Sequence, residues 1–179
     1  GDYNPSGKLT MSFPRNVGQV PIYYNFKNTG RPSTSIEQVT NSGYADVENS
    51  ALYPFGHGLS YTKFSYTDVL LDKTELTLKS KITLSFKIKN IGTVKGTEIT
   101  QMYIRDVVGS IARPMRELKG FKVVELNPGE SKVVNFEINA KLLEFYSHNN
   151  KWEAELGDFQ VFVGGSSDTS DFQEFELVN

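Results

Sequence analysis

The chain has 179 residues, 38% of them hydrophobic and 22% charged, with a formal net charge of −2. That is room for one domain, or one domain with a long attached segment. The near-neutral balance excludes an electrostatic footprint for nucleic acid or an anionic membrane. No run of apolar residues approaches the roughly eighteen needed for a membrane-spanning helix.

With no cysteine, disulfides, thiolate metal sites and cysteine nucleophiles fall away together. The only Asn-x-Ser/Thr spacing, Asn4-Pro5-Ser6, is blocked by its proline. Both facts lean toward a prokaryote, where a periplasmic sandwich of this size need not carry a disulfide, and neither fixes the compartment. The opening Gly1-Asp2-Tyr3-Asn4-Pro5 is polar and turn-forming, and it lacks an initiating methionine and a signal-peptide core. The chain is therefore expected to have been cut from something longer.

Residues 1–62 hold five of the seven prolines and many Asn, Ser and Tyr. The strand-like run there is Lys8–Phe13, with Leu9, Met11 and Phe13 on one face and Pro14 closing it. The rest of this leader reads as turns and extended coil. It keeps many aromatics (Tyr23, Tyr24, Phe26, Tyr44, Tyr53, Phe55 and Tyr61), too many for a solvated tether. It is expected to seat against something, with Leu9–Phe13 paired to a sheet outside the chain and the part before Pro32 loosely held.

From residue 63 onward the pattern turns to β. In Lys81–Asn90, Ile82, Leu84, Phe86 and Ile88 alternate with Thr83, Ser85, Lys87 and Lys89, which gives one buried and one wet face. Similar runs are Phe64–Leu71, Glu98–Arg105, Phe121–Leu126, Lys132–Ile138, Phe159–Gly164 and Gln173–Val178, with a short one opening at Trp152. Turns at Asn90-Ile91-Gly92, Asn127-Pro128-Gly129 and Gly164-Gly165 separate them. A helical turn is expected at Ala140–Phe145. Together these elements predict an all-β protein: an antiparallel immunoglobulin-like β-sandwich over residues 63–179, behind a mostly irregular leader, 1–62.

No catalytic constellation stands out. His57, between Gly56 and Gly58, reads as a loop imidazole bonded to backbone, and neither it nor His148 has a supportable Ser–Asp partnership. Asp106, Glu117, Glu125, Glu130 and Asp158 are scattered and read as solvated charges. Asp168 and Asp171 lie in a Ser/Thr-rich loop without the oxygen spacing of a calcium site, and there is no phosphate loop. Tyr103, Phe121, Phe136, Trp152, Phe159 and Phe162 suggest either a sugar-stacking platform or core packing, and their places on predicted strands favour the core. No catalytic, cofactor or metal residue is assigned.

Several motifs carry a resemblance. Gly1-Asp2-Tyr3-Asn4-Pro5-Ser6-Gly7-Lys8-Leu9 through Phe13-Pro14 resembles the close of the α/β-sandwich domain of family 3 glycoside hydrolases, especially bacterial β-glucosidases. Pro21-Ile22-Tyr23-Tyr24-Asn25 with Asn28-Thr29-Gly30-Arg31-Pro32 resembles their interdomain linker, with Phe26 where a His is expected. The most specific motif is Tyr53-Pro54-Phe55-Gly56-His57-Gly58-Leu59-Ser60-Tyr61-Thr62, which leads into the family's fibronectin type III-like domain. Gln101–Asp106, Arg113-Pro114, Glu117–Phe121, Asn127–Glu130, Trp152, Gly157, Phe159 and Val163–Ser167 continue the match.

The resemblance implies a parent that hydrolyses terminal β-D-glucosyl residues by a retaining mechanism. It places the nucleophilic Asp in an N-terminal barrel, in a Ser-Asp-Trp-like context; here the one tryptophan, Trp152, follows Lys151. The acid/base residue is likewise expected upstream. The chain is then a non-catalytic accessory domain. Its partners are the parent's barrel and α/β-sandwich domains and, through them, a carbohydrate, with no nucleic acid or membrane. Tyr53, Phe55, His57 and Tyr61 are the candidate interdomain contacts. A stand-alone carbohydrate-binding module and an adhesion or dimerisation sandwich are the alternatives.

Overall fold

Strand β3 (Lys81–Asn90) shows how the sequence builds the sandwich. Ile82, Leu84 and Ile88 are fully buried, Phe86 is 1% exposed, and Lys81, Lys87 and Lys89 face solvent. A slip of one residue would put the lysines in the core, so the register is fixed by the cost of burying charge. β3 runs antiparallel between β1 (Phe64–Leu71) and β6 (Ser131–Asn139), forming a three-stranded sheet. The computed structural model describes residues 2–28, 30, 43–44 and 46–179. The linker motif at Thr29, Arg31 and Pro32 lies outside the described residues.

The second sheet has five strands in the order β2 (Glu75–Thr77), β10 (Phe172–Val178), β9 (Gly157–Gly164), β4 (Gly96–Asp106) and β5 (Glu117–Leu126). All its pairings are antiparallel except β2 beside β10. β2 is three residues long, too short to show an alternation, and sequence reading passes over it. The inner faces of the two sheets meet in a core that includes Leu84, Phe86, Met102, Ile104, Leu126, Phe136, Val161 and Phe175. After β6 comes one helical turn, α1 (Ala140–Leu143), whose N-cap Asn139 accepts from the Leu142 amide. A separate ribbon of β7 (Phe145–Tyr146) and β8 (Trp152–Glu153) follows.

Strand β4 departs from plain alternation, since Thr100, Gln101, Met102, Tyr103 and Ile104 are all buried. Met102 and Ile104 belong to the inner core, and Gln101 and Tyr103 point the other way. Something therefore covers the outer face of this sheet, and it is the leader.

Two expected core aromatics are corrected. Tyr103, Phe136, Phe159 and Phe162 are buried, but Phe121 is 64% exposed and Trp152 67%. Phe121 sits on β5 at the sheet edge, on the face opposite Val124 and Leu126, and Trp152 sits on the β7–β8 ribbon outside the sandwich.

Candidate docking surface

The leader doubles back on itself. The Leu9 amide donates to the His57 carbonyl at 2.8 Å, and Gly56 N–H returns to the Leu9 carbonyl at 2.8 Å. Phe13 N–H reaches the Tyr53 carbonyl and Leu52 N–H the Phe13 carbonyl, both at 2.8 Å. Leu9 and Phe13 thus find backbone partners within the chain, at residues 52–57, along one edge of the expected strand. Turn residues separate the two segments widely in sequence, and no periodicity announces the pairing.

This ribbon is fastened to the sandwich by polar bonds. Lys8 Nζ pairs with Glu98 of β4 at 3.0 and 3.2 Å, and Tyr66 of β1 donates its hydroxyl to the same carboxylate at 2.9 Å. The Lys8 and Glu98 side chains are only 15% and 8% exposed. Asn4 Nδ2 donates to the Lys95 carbonyl at 2.9 Å, and its Oδ1 accepts from Ser60 and from the Tyr61 amide. Gln101 Nε2 donates to the carbonyls of Gly56 at 3.3 Å and Gly165 at 2.7 Å, while its Oε1 takes the Tyr103 hydroxyl. Gly56 is required here: its φ is +80°, and a Cβ would lie 2.1 Å from Gln101 Oε1.

Aromatic contacts complete the fastening. Tyr24 stacks on Phe55 with ring centroids 4.2 Å apart, and meets Tyr103 edge to face at 6.0 Å. Its hydroxyl accepts from the Leu118 amide at 3.3 Å. Beside it, the Met115 amide donates to the Phe26 carbonyl at 2.8 Å, and Lys27 bridges Pro114. The segment before Pro32, expected to be loosely held, is therefore bonded to the sandwich at residues 4, 8, 24, 26 and 27.

The four candidate contact residues divide. Phe55 turns inward onto Tyr24. Tyr53 is 45% exposed and lies against His57 at 5.0 Å and against Phe13 at 6.4 Å. For His57 the described side-chain contact is this ring, where a backbone hydrogen bond was expected. Tyr61 is 62% exposed. On the outward side, Met11, Val20 and Tyr23, each 61–63% exposed, line an apolar cleft of about 400 Å³ with Pro14, Pro21 and Phe55.

The scattered carboxylates are only partly solvated. Asp106 and Glu117 flank a buried Arg113, whose Nη2 lies 2.9 Å from Glu117 and whose Nε lies 4.0 Å from Asp106. Arg113 also sits over the Phe145 ring at 3.9 Å. Burial raises the Asp106 carboxyl above its ordinary range, and the Arg113 charge opposes that shift. Glu125 pairs with Lys95 at 2.7 Å, and Glu130 accepts the Asn127 amide at 2.8 Å. Asp158 is exposed, as are Asp168 and Asp171. Among the described residues, no group of three His, Cys, Asp or Glu is placed to hold a metal ion.

Comparison with known proteins agrees with this two-part build. Residues 1–61 match the glycosyl hydrolase family 3 C-terminal domain, and residues 98–167 match the fibronectin type III-like domain. A periplasmic beta-glucosidase of Salmonella typhimurium is 46% identical over 99% of this chain and 23% of its own length. A beta-xylosidase of Formosa agariphila is 40% identical over 99% of this chain and 24% of its own. A crystal structure of beta-glucosidase from Listeria innocua in complex with glucose superposes with a TM-score of 0.92 at 43% identity, over 100% of this chain and 25% of that one. The chain spans about a quarter of the length of each of these relatives. With both family domains matched in order and the whole chain aligned, it belongs to glycoside hydrolase family 3, as a C-terminal part that carries the fibronectin type III-like sandwich.

Proposed function

We propose that the chain is the non-catalytic accessory region of an enzyme that removes terminal β-D-glucosyl residues, and that its leader is the surface on which the rest of that enzyme seats. The observation that carries this is the two-sidedness of the leader. One side is bonded to the sandwich through Lys8, Asn4, Tyr24 and Phe55, and the other bares Met11, Val20 and Tyr23 around an apolar cleft. An apolar surface of that kind marks a contact site. The missing three quarters of the relatives' length supplies an occupant.

Tyr53, His57 and Tyr61 extend this contact, and Phe55 supports it from behind. The division at about residue 62 fits a family match that ends at residue 61 and a first strand that begins at Phe64. Retaining hydrolysis needs a nucleophile and an acid/base at a set spacing. Two of the carboxylates weighed for it, Asp106 and Glu117, are bound to Arg113. The likeness to a periplasmic relative supports a periplasmic or secreted location.

The pure chain should not turn over an aryl β-glucoside. In the longer protein, Met11→Asp with Tyr23→Asp should lower activity and thermal stability together. Turnover by the pure chain would overturn the non-catalytic reading. Full stability and activity in the double variant would overturn the docking surface.

A further inference from the structure

Tyr146 and Trp152 pair across the β7–β8 ribbon, and both stand out of the protein, at 53% and 67% exposed. Aromatic side chains of this size ordinarily bury most of their surface. Their rings meet edge to face, with centroids 6.0 Å apart and planes 70° to one another. Two rings at that angle make a corner, in which one offers its face and the other closes the side.

The opposite face of the ribbon holds the corner still. Glu153 accepts from Asn149 Nδ2 at 2.9 Å, pairs with Lys151 at 2.8 Å and takes the hydroxyl of the buried Ser147. The Ser147 amide donates to the Lys151 carbonyl at 3.0 Å, and Asn150 closes the loop in the left-handed region at φ 56°. Alternation along the two strands puts this network on one side and the rings on the other. Hydrogen bonds from Lys151, then Ser147 and Asn149, lower the Glu153 carboxyl to about 2. Its contribution to holding the hairpin is therefore complete above the ordinary carboxylate range and is lost only as pH falls toward 2.

A fixed, exposed aromatic corner suits a ligand with flat C–H faces and a hydroxyl rim. The negative ring face attracts weakly positive hydrogens. An all-equatorial pyranose directs its axial C–H bonds to its two faces and its hydroxyls outward. Nucleobases would also stack, but a chain of net charge −2 offers no overall electrostatic attraction for a phosphate backbone.

We propose that the Tyr146–Trp152 corner is a carbohydrate contact site that takes a β-linked glucosyl unit against an aromatic face. The sugar class rests on the reading of the chain as part of a β-glucoside-acting enzyme.

Trp152 is the one tryptophan of the chain, so tryptophan emission reports on this corner alone. Titration of the 179-residue chain with cellotetraose should give a saturable change in emission. Tyr146→Ala should weaken binding by roughly tenfold. Trp152→Ala, followed by calorimetry, should show no heat beyond dilution. Both side chains are exposed, so melts of the variants should match the starting protein. Phe121→Ala, an exposed aromatic elsewhere, should leave the titration unchanged. A flat titration, or one that both hairpin variants leave intact, overturns the proposal. So does burial of the two rings against protein in a structure of the longer enzyme. Either failure leaves the docking surface standing, because Met11 and Tyr23 variants read that without sugar.

Discussion

The strand β3 and the leader ribbon are both ordered parts of one protein, yet they are held by different physics. β3 gives a dry face of Ile82, Leu84, Phe86 and Ile88 to the core, and its stability comes from area removed from water. In the ribbon of residues 9–13 and 52–57 the one alternation, Leu9, Met11 and Phe13, marks no buried face, since Met11 is 61% and Phe13 43% exposed. The ribbon is held by backbone bonds, a buried ion pair and stacked rings. Burial by area is written in sequence as a period, whereas fastening by individual bonds leaves no period to read.

The comparison can be broken most forcefully at β3. Leu84→Ala should cost about 2–5 kcal/mol in a denaturant melt, as for other buried leucines. A cost below about 0.5 kcal/mol would remove Leu84 from the core.

The ion pair of the leader comes next. Lys8→Ala strands Glu98 with the Tyr66 hydroxyl for company, and should cost about 3 kcal/mol, the low end for a buried pair that loses one partner. Replacing both, Lys8→Met with Glu98→Leu, should recover most of that loss, because the desolvation of two charges disappears with them. If the double replacement is as damaging as the single, the pair holds the leader by more than charge balance.

A smaller effect is expected in alkali. Burial first, and then the Glu98 carboxylate, raises the Tyr66 phenol above its ordinary value. Burial, and then Tyr24, does the same for Tyr103. Unfolded phenols ionise near pH ~10 while the folded ones keep their protons. Stability from these groups is therefore full below pH ~10, and each should lose about 1 kcal/mol by pH ~11. Urea melts across that range would show it, and Tyr66→Phe should remove part of the slope. A slope that Tyr66→Phe leaves unchanged would place the cause elsewhere.

Smallest of all, Met11→Ser and Tyr23→Ser should change the stability of this chain by less than about 0.5 kcal/mol, because both side chains are largely exposed. A larger loss would mean that the outward side of the leader supports the sandwich itself.

Much of the sandwich was legible in the sequence. Strands β1 and β3 begin and end where their runs do, and the alternation of Lys81–Asn90 matches its burial residue for residue. β2 was not legible, since three residues carry no period. β4 was legible only in part: Tyr103 is buried as expected, but on the outer face of its sheet, where Gln101 and the leader cover it. Phe121 and Trp152 show the limit of reading burial from residue type, because an edge strand and an outlying ribbon offer no second layer to cover them. In the leader, Tyr53-Pro54-Phe55-Gly56-His57-Gly58 stood out as a motif, but its pairing with Leu9–Phe13 depends on a long loop closure that no local signal encodes. The lone signal for Lys8 was a charge beside an apolar run, and Glu98 was one acidic residue among many.

Amide hydrogen exchange on the 179-residue chain tests the central claim, that the leader is built into the sandwich on one side, most directly. The amides of Leu9, Phe13, Leu52 and Gly56 each donate within the ribbon at 2.8 Å. They should exchange far more slowly than an unstructured peptide, and Lys8→Ala should speed them while the β3 amides stay protected. Exchange of those four amides at peptide rates, in a chain whose β3 amides are protected, would contradict the account.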